Sequence, residues 1–410
     1  MNGHTSKTKN ASVELLRFLF TSIIIFFHIN LDLWDQKKVI AVVREIPVTF
    51  FKHGNIGVEF FFLVTGWLMA KTIYTKYIQP RESGVNTGGA IPVESAEALK
   101  PADTGKRPAG KAGRGRLMEE TVQFVRHKAN AIFPYYLLAC ALTVVIQFLT
   151  ERTLSLDYFL RRLPSLFFLQ RMGFGKPFIG CTWYLSSMLL ALFVVYPLCR
   201  RFYHVFTLAA APLLCAVLLG AIIICTGSLG NIEDWFFITY KTNIRAFAEI
   251  SLGATAFEIS RRMQGHVHSR AGRILLSFIA LACLFLSLAY MCSDMPGKYG
   301  LAVFYLLFVL VVITFSGEGA LCHSGIFNHP VFTYLGKISL PMYVTQTLFR
   351  KLIPWYFPRS TQWTQCLLIY FGIFAFSVFL QAVSANLHRR PVPYRRPVLQ
   401  FRLVRSRSRA

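Results

Sequence analysis

The chain is poor in acid: 19 Asp and Glu stand against 44 Lys and Arg, a formal net charge of +25 over 410 residues. It also lacks cysteine pairing signals. Its nine Cys form no Cys-x-x-Cys, and most, such as Cys140, Cys199, Cys215 and Cys283, fall inside apolar runs where a thiol is a small packing group, so no disulfide framework is implied. Its ten His show no His-Glu-x-x-His or similar spacing, so no metal is expected. There is no internal repeat and no stretch that reads as a globular extracellular domain. No small-x-small cleavage site follows the first apolar segment, which runs on as His28-Ile29-Asn30-Leu31-Asp32; that segment is expected to stay as an uncleaved anchor.

What is abundant is apolar surface. Hydrophobic residues make up 54% of the chain and the mean hydropathy is +0.47, which excludes an ordinary soluble domain. Ten runs have the length of a membrane span, near 12–31, 55–73, 131–150, 181–199, 205–226, 243–260, 273–292, 298–315, 330–349 and 364–387. The expected fold is all-α, a polytopic integral membrane protein of about ten transmembrane helices. The sixth run is the weakest, being short and carrying Arg245, Glu249 and Glu258.

So basic a chain raises nucleic acid as a partner. The placement of the charge points instead to the membrane. With the N-terminus cytoplasmic and all ten runs crossing, the cytoplasmic side holds roughly twice as many Lys and Arg as the other, as the positive-inside rule requires. Both termini then lie in the cytoplasm of a multi-pass protein of the cell membrane. The basic blocks read as topology signals or contacts with anionic lipid, and no nucleic acid is expected.

Residues 1–387 read as one membrane domain and 388–410 as a basic tail, disordered or lying on the inner leaflet. From Arg81 to Arg116 the chain is rich in Gly, Pro, Ala, Lys and Arg, and reads as a flexible cytoplasmic insertion. Asp157 to Gln170 is apolar but too short to cross, and is expected to form an interfacial or re-entrant helix.

The first span is unusual in carrying Glu14, Arg17 and His28. Ionisable groups are costly in hydrocarbon and usually mark a pathway or a site. Arg17 and His28 are eleven positions apart, three turns plus about 20°, so they share a face about 16 Å apart along the axis. The second span enters from the opposite surface as Gly57-Val58-Glu59-Phe60-Phe61-Phe62, which puts Glu59 at a depth similar to His28. A carboxylate beside an imidazole fixes its tautomer and raises its basicity, a common way to build a general base. The plainer alternative is a His–Glu pair that only holds two helices together.

These residues resemble the integral-membrane acyltransferase-3 family, which O-acetylates surface glycans and related acceptors. The resemblance runs from Val13 to about Asn386. Glu14-Leu15-Leu16-Arg17-Phe18 through His28 fits that family's Arg and His separated by ten residues, and Gly57 to Leu68 is similar to its Gly-Val-Asp/Glu element, with Trp67 in the aromatic position. Phe124 to Tyr135 is similar to its basic segment ending in Pro. Trp183-Tyr184-Leu185 with Tyr196-Pro197, and Tyr334-Leu335-Gly336-Lys337-Ile338-Ser339 with Tyr343, are similar to two later elements. The chain departs at Met188, where many members carry Glu, and at Gln346, where many carry His.

The resemblance implies a membrane O-acyltransferase that uses acyl-CoA, most simply acetyl-CoA, with no metal, and acts on a hydroxyl of a glycan or lipid-linked saccharide. It implies His28 as general base with Glu59 orienting it. Arg17, with Lys71, Arg126 and Lys128 near the cytoplasmic mouth, would hold the donor, since guanidinium suits phosphate. Thr65, Trp183 and Tyr343 are candidates for lining the substrate cavity, with packing an equal alternative. A different class also fits the charges: a transporter or flippase with an ion path through Arg17, His28 and Glu59. Acceptor, acyl length, any covalent acyl-enzyme and oligomeric state stay open.

Overall fold

The computed structural model describes residues 11–33, 51–82, 111–151, 155–230, 234–267, 269–323 and 329–389. Ten long helices carry the fold: α1 Ala11–Leu33, α2 Gly57–Ile73, α3 Lys111–Glu151, α4 Trp183–Arg201, α5 Ala211–Thr226, α6 Lys241–Met263, α7 Arg270–Met291, α8 Gly300–Ser316, α9 Pro330–Tyr356 and α10 Gln362–Arg389. Each expected span coincides with one of them. Eight are long and apolar enough to cross a membrane. The only strands among the described residues are two short ones, Trp235–Phe236 and Thr239–Tyr240, paired antiparallel before α6.

Cross-helix contacts fix the alternation of the bundle. At the end where α1 finishes, Arg350 of α9 pairs with Asp32 of α1, and Lys351 of α9 with Gln147 of α3. At the end where α1 starts, Arg200 of α4 lies 3.5 Å from Glu120 of α3, and Arg261 of α6 donates to the hydroxyl of Tyr74 at 3.1 Å. The odd-numbered helices therefore run one way and the even-numbered ones the other. We call the two faces the Ala11 end and the Leu33 end.

Of the two helices less apolar than a span, α9 is buried over its middle, around Pro341–Gln346, and α6 is shut inside the protein. Arg245, Glu249 and Glu258 are buried and paired within it, so α6 need not be apolar to sit at membrane depth. At the crossing of α2 and α6 their backbones touch. A Cβ on Gly66 would stand 2.0 Å from the Ile250 carbonyl oxygen, and one on Gly253 would stand 2.3 Å from that of Leu63. Small residues at a helix crossing are how membrane helices gain close packing. By contrast Leu213 and Ile224 of α5, Phe278 and Phe285 of α7, and Phe371 and Phe379 of α10 are exposed, as lipid-facing side chains would be.

Two expectations change. The stretch 157–170 is no continuous helix: Leu156–Leu160 is helical, Pro164 opens a 3-10 turn over Leu163–Phe167, and Phe168 ends it at φ 59 in the left-handed region. Proline has no N–H to continue the ladder, which breaks the segment. The expected insertion is helical at both margins, Gln79–Glu82 and from Lys111 onward; its middle, 83–110, and the tail from 390 lie outside the described residues.

Candidate active site

His28 lies in the last two turns of α1, half-buried. Its Nδ1 is 2.8 Å from the carbonyl oxygen of Ile24, one turn back. A carbonyl can only accept, so Nδ1 carries the proton and donates it, and the neutral ring keeps its lone pair on Nε2. The tautomer a general base needs is thus set by the helix's own backbone. From α9, Gln346 and Arg350 are the polar side chains that act on the ring. Gln346 is fully buried; its Nε2 donates to the Tyr343 carbonyl at 2.9 Å, and its Oε1 has no hydrogen-bond partner. The position where the family often carries His is therefore a first neighbour of His28.

The expected His28–Glu59 pair is not formed. The two helices do meet at matching depth, because Gly57 packs on Ile24 and Phe60 stacks on Phe20 with ring centroids 4.4 Å apart. The direction of Glu59 is what differs. Gly57 and Phe60, three residues apart, turn one face of α2 to α1, while Glu59, Leu63 and Gly66, at spacings of four and three, turn another face to α6. Glu59 Oε1 accepts from Arg245 Nη2 at 2.9 Å, and Arg245 Nε donates to Glu249 Oε1 at 3.2 Å. Arg245 Nη1 also donates to the Leu229 carbonyl at 2.6 Å. Glu59 belongs to a buried carboxylate–guanidinium–carboxylate group that ties α2 to α6.

Toward the Ala11 end, Arg17 Nη1 donates to Glu14 Oε2 at 2.8 Å. Glu14 lies against Gly336 of α9, where a Cβ would stand 1.9 Å from its Oε2. Lys128 of α3 is within electrostatic reach of Arg17, with its ammonium 5.6 Å from the Phe124 ring centroid. Two cations and one carboxylate leave a net positive charge facing inward. Arg126, two residues from Lys128, falls on the exposed side of α3, and Lys71 is exposed with its ammonium 5.2 Å from the Trp67 ring centroid. The structure gathers Arg17 with Lys128 and leaves Lys71 and Arg126 on outer faces.

The three cavity candidates separate as well. Thr65 donates to the Phe61 carbonyl at 2.7 Å and sits 3.5 Å from the Tyr184 hydroxyl and 3.7 Å from Met188 Sδ. Tyr343 packs edge-on against Tyr184 and donates to the Cys181 carbonyl. Trp183 is buried beside Phe62 as a packing residue. Tyr184, which joins Thr65 to Tyr343, is marked in the sequence only as the residue after Trp183.

At the Leu33 end, one turn beyond His28, a cavity of about 520 Å³ opens between α1, α9, α10 and the turn before α4. Asp32, Cys181, Thr347, Arg350, Lys351 and Gln362 are among its walls. Arg350 grips Asp32 with two hydrogen bonds, of 2.6 and 2.7 Å. The volume is in the range of small-molecule sites. Sequence reasoning passes over this group, although Gln346 and Arg350 lie four residues apart at the end of an otherwise apolar run. No group of three or more His, Cys, Asp or Glu among the described residues is placed to hold a metal.

No curated protein and no solved structure matches this chain. The family model described as an acyltransferase domain matches residues 10–382, which takes in nine of the ten helices whole and most of α10, with the His28 site and the cavity above it: the chain belongs to the acyltransferase-3 family and is a multi-pass membrane acyltransferase.

Proposed function

We propose that the protein moves an acyl group, most simply acetyl, from cytoplasmic acyl-CoA to a hydroxyl of a surface or lipid-linked glycan. The observation that carries this reading is His28, whose Nδ1 is held by the Ile24 carbonyl so that Nε2 keeps its lone pair, one turn below a cavity with charged and amide side chains in its walls. In this reading the Ala11 end faces the cytoplasm of a cell-membrane protein, and the cations Arg17 and Lys128 attract the donor's phosphates. His28 Nε2 takes the proton of the acceptor hydroxyl as its oxygen attacks the thioester carbonyl. The tetrahedral intermediate expels CoA thiolate, which recovers the proton from the imidazolium, so that CoA leaves as the thiol.

Glu59 serves this chemistry only by holding α2 against α6. That also weakens a transport path through Arg17, His28 and Glu59, because Glu59 is shut off behind Arg245. The deciding experiment uses the purified full chain in detergent with acetyl-CoA. Release of free CoA thiol that rises with added hydroxylated acceptor supports the enzyme. Flux of a solute across vesicles with no thiol release supports the transporter.

A further inference from the structure

Among the described residues, three charged side chains line the cavity at the Leu33 end: Asp32, Arg350 and Lys351. Asp32 and Arg350 cancel, because the guanidinium is held on the carboxylate by two hydrogen bonds. Lys351 has no carboxylate partner among the described residues; its ammonium donates to the neutral amide oxygen of Gln147 at 2.6 Å. One positive charge is left over in the cavity wall. Below it, Gln346 Oε1 is buried without a partner beside His28. Gln346 and Lys351 are five residues apart on α9, about 7–8 Å along the axis and about 140° round it, with Arg350 one turn beyond Gln346 on nearly the same face. A ligand seated in the cavity meets Thr347 and Arg350, which flank Gln346 on the same helix, and Lys351 beside them.

We propose that this cavity is the acceptor subsite and that it selects an acceptor bearing an anionic group, carboxylate or phosphate, on or next to the sugar whose hydroxyl is acylated. Lys351 receives the anion. The Asp32–Arg350 pair and the amide of Gln362 hydrogen-bond sugar hydroxyls, and Gln346 Oε1 accepts from the hydroxyl presented to His28. This rests on the acyl-transfer reading, but its test does not use the donor.

The test measures binding of methyl β-glucuronide, methyl β-glucoside and glucose 6-phosphate to the full-length protein in detergent, without acyl-CoA. The wild type is expected to bind at least one charged sugar about tenfold more tightly than the neutral glucoside, as a charge-assisted contact provides. Tighter binding of the phosphate marks a phosphorylated acceptor, and tighter binding of the glucuronide an acidic sugar. Lys351→Gln should erase the preference and Lys351→Arg should retain it; the ratio of affinities is a readout that a general loss of structure does not move. Equal affinity for charged and neutral sugars, a preference that survives Lys351→Gln, or no binding of any of the three overturns the proposal. Thiol release from acetyl-CoA is measured without these sugars, so the subsite and the acyl-transfer reading fail separately.

Discussion

Arg245 Nη2 donates to Glu59 Oε1 at 2.9 Å, and both side chains are shut off from solvent inside the bundle. With Glu249 on the other edge of the guanidinium, one cation serves two carboxylates, and Oε2 of each acid has no partner. Removing the cation alone leaves two buried acids facing each other.

Arg245→Met is therefore expected to destabilise the fold by about 3–5 kcal/mol, as breaking a buried ion pair from one side does. Adding Glu59→Gln and Glu249→Gln to it should recover most of the loss, because no uncompensated charge remains. Thermal unfolding in detergent reads both. If the single variant melted like the wild type, the group would not be a clamp between α2 and α6.

His28→Ala is expected to fold normally and to lose about 10²–10⁴-fold in acyl transfer, the usual contribution of a general base. His28→Gln is the sharper variant, because it keeps an N–H able to reach the Ile24 carbonyl but has no basic nitrogen. It should be as inactive as the Ala variant. Activity near the wild-type level in either would remove His28 from the chemistry.

Much of the fold is legible in the sequence because the bilayer dictates length. Each run of about twenty apolar residues becomes a helix, and the alternation of ends follows. Even the doubtful sixth run is a helix of 23 residues, since its charges find partners inside the protein. The site is less legible. Arg17 and His28 lie on one helix, so spacing alone sets their separation. Glu59 is misassigned from sequence because equal depth does not fix direction; the 57/60 and 59/63/66 spacings on α2 divide it between two neighbours, and choosing which neighbour is α1 requires the packed bundle. Asp32, Gln346 and Lys351 cannot be joined from sequence, because Asp32 is more than 300 residues from the other two and meets them only through α9 lying along α1.

For Arg17 the expected outcome is weaker binding of CoA in Arg17→Ala. Arg17→Lys should also be impaired, because it keeps the charge but loses the planar fork that matches phosphate. Lys128→Gln should weaken CoA binding too, while Arg126→Gln, on the exposed side of α3, should change it little. Titration of CoA against the four variants checks this. Equal affinity in wild type and Arg17→Ala would detach Arg17 from the donor.

The α2–α6 crossing predicts a large effect from a single methyl group. Gly253→Ala places a Cβ 2.3 Å from the Leu63 carbonyl oxygen and 2.9 Å from the Gly66 Cα, both backbone atoms that cannot step aside. Overpacking of this kind costs about 1–3 kcal/mol or more. Gly220→Ala, with nothing within 4 Å of the added atom, should be neutral or slightly stabilising. Melting curves of the two variants in one detergent should differ in sign or by several degrees. A stable Gly253→Ala variant would mean that the two backbones do not touch.

Orientation decides which substrate meets His28 first, and thiol labelling can read it. Cys225 and Cys292 are the exposed cysteines, and both lie at the Leu33 end, after or near the C-terminal ends of α5 and α7. In a Cys225→Ser background, Cys292 is expected to react with a membrane-impermeant maleimide added to intact cells, and Cys292→Ser should abolish that signal. Gln264→Cys, added to Cys225→Ser and Cys292→Ser, introduces a thiol at an exposed position on the turn between α6 and α7 at the Ala11 end. It should react only after the membrane is opened. The opposite pattern would place the termini outside, turn Arg17 and Lys128 away from cytoplasmic CoA, and make the cavity above His28 the donor's entrance.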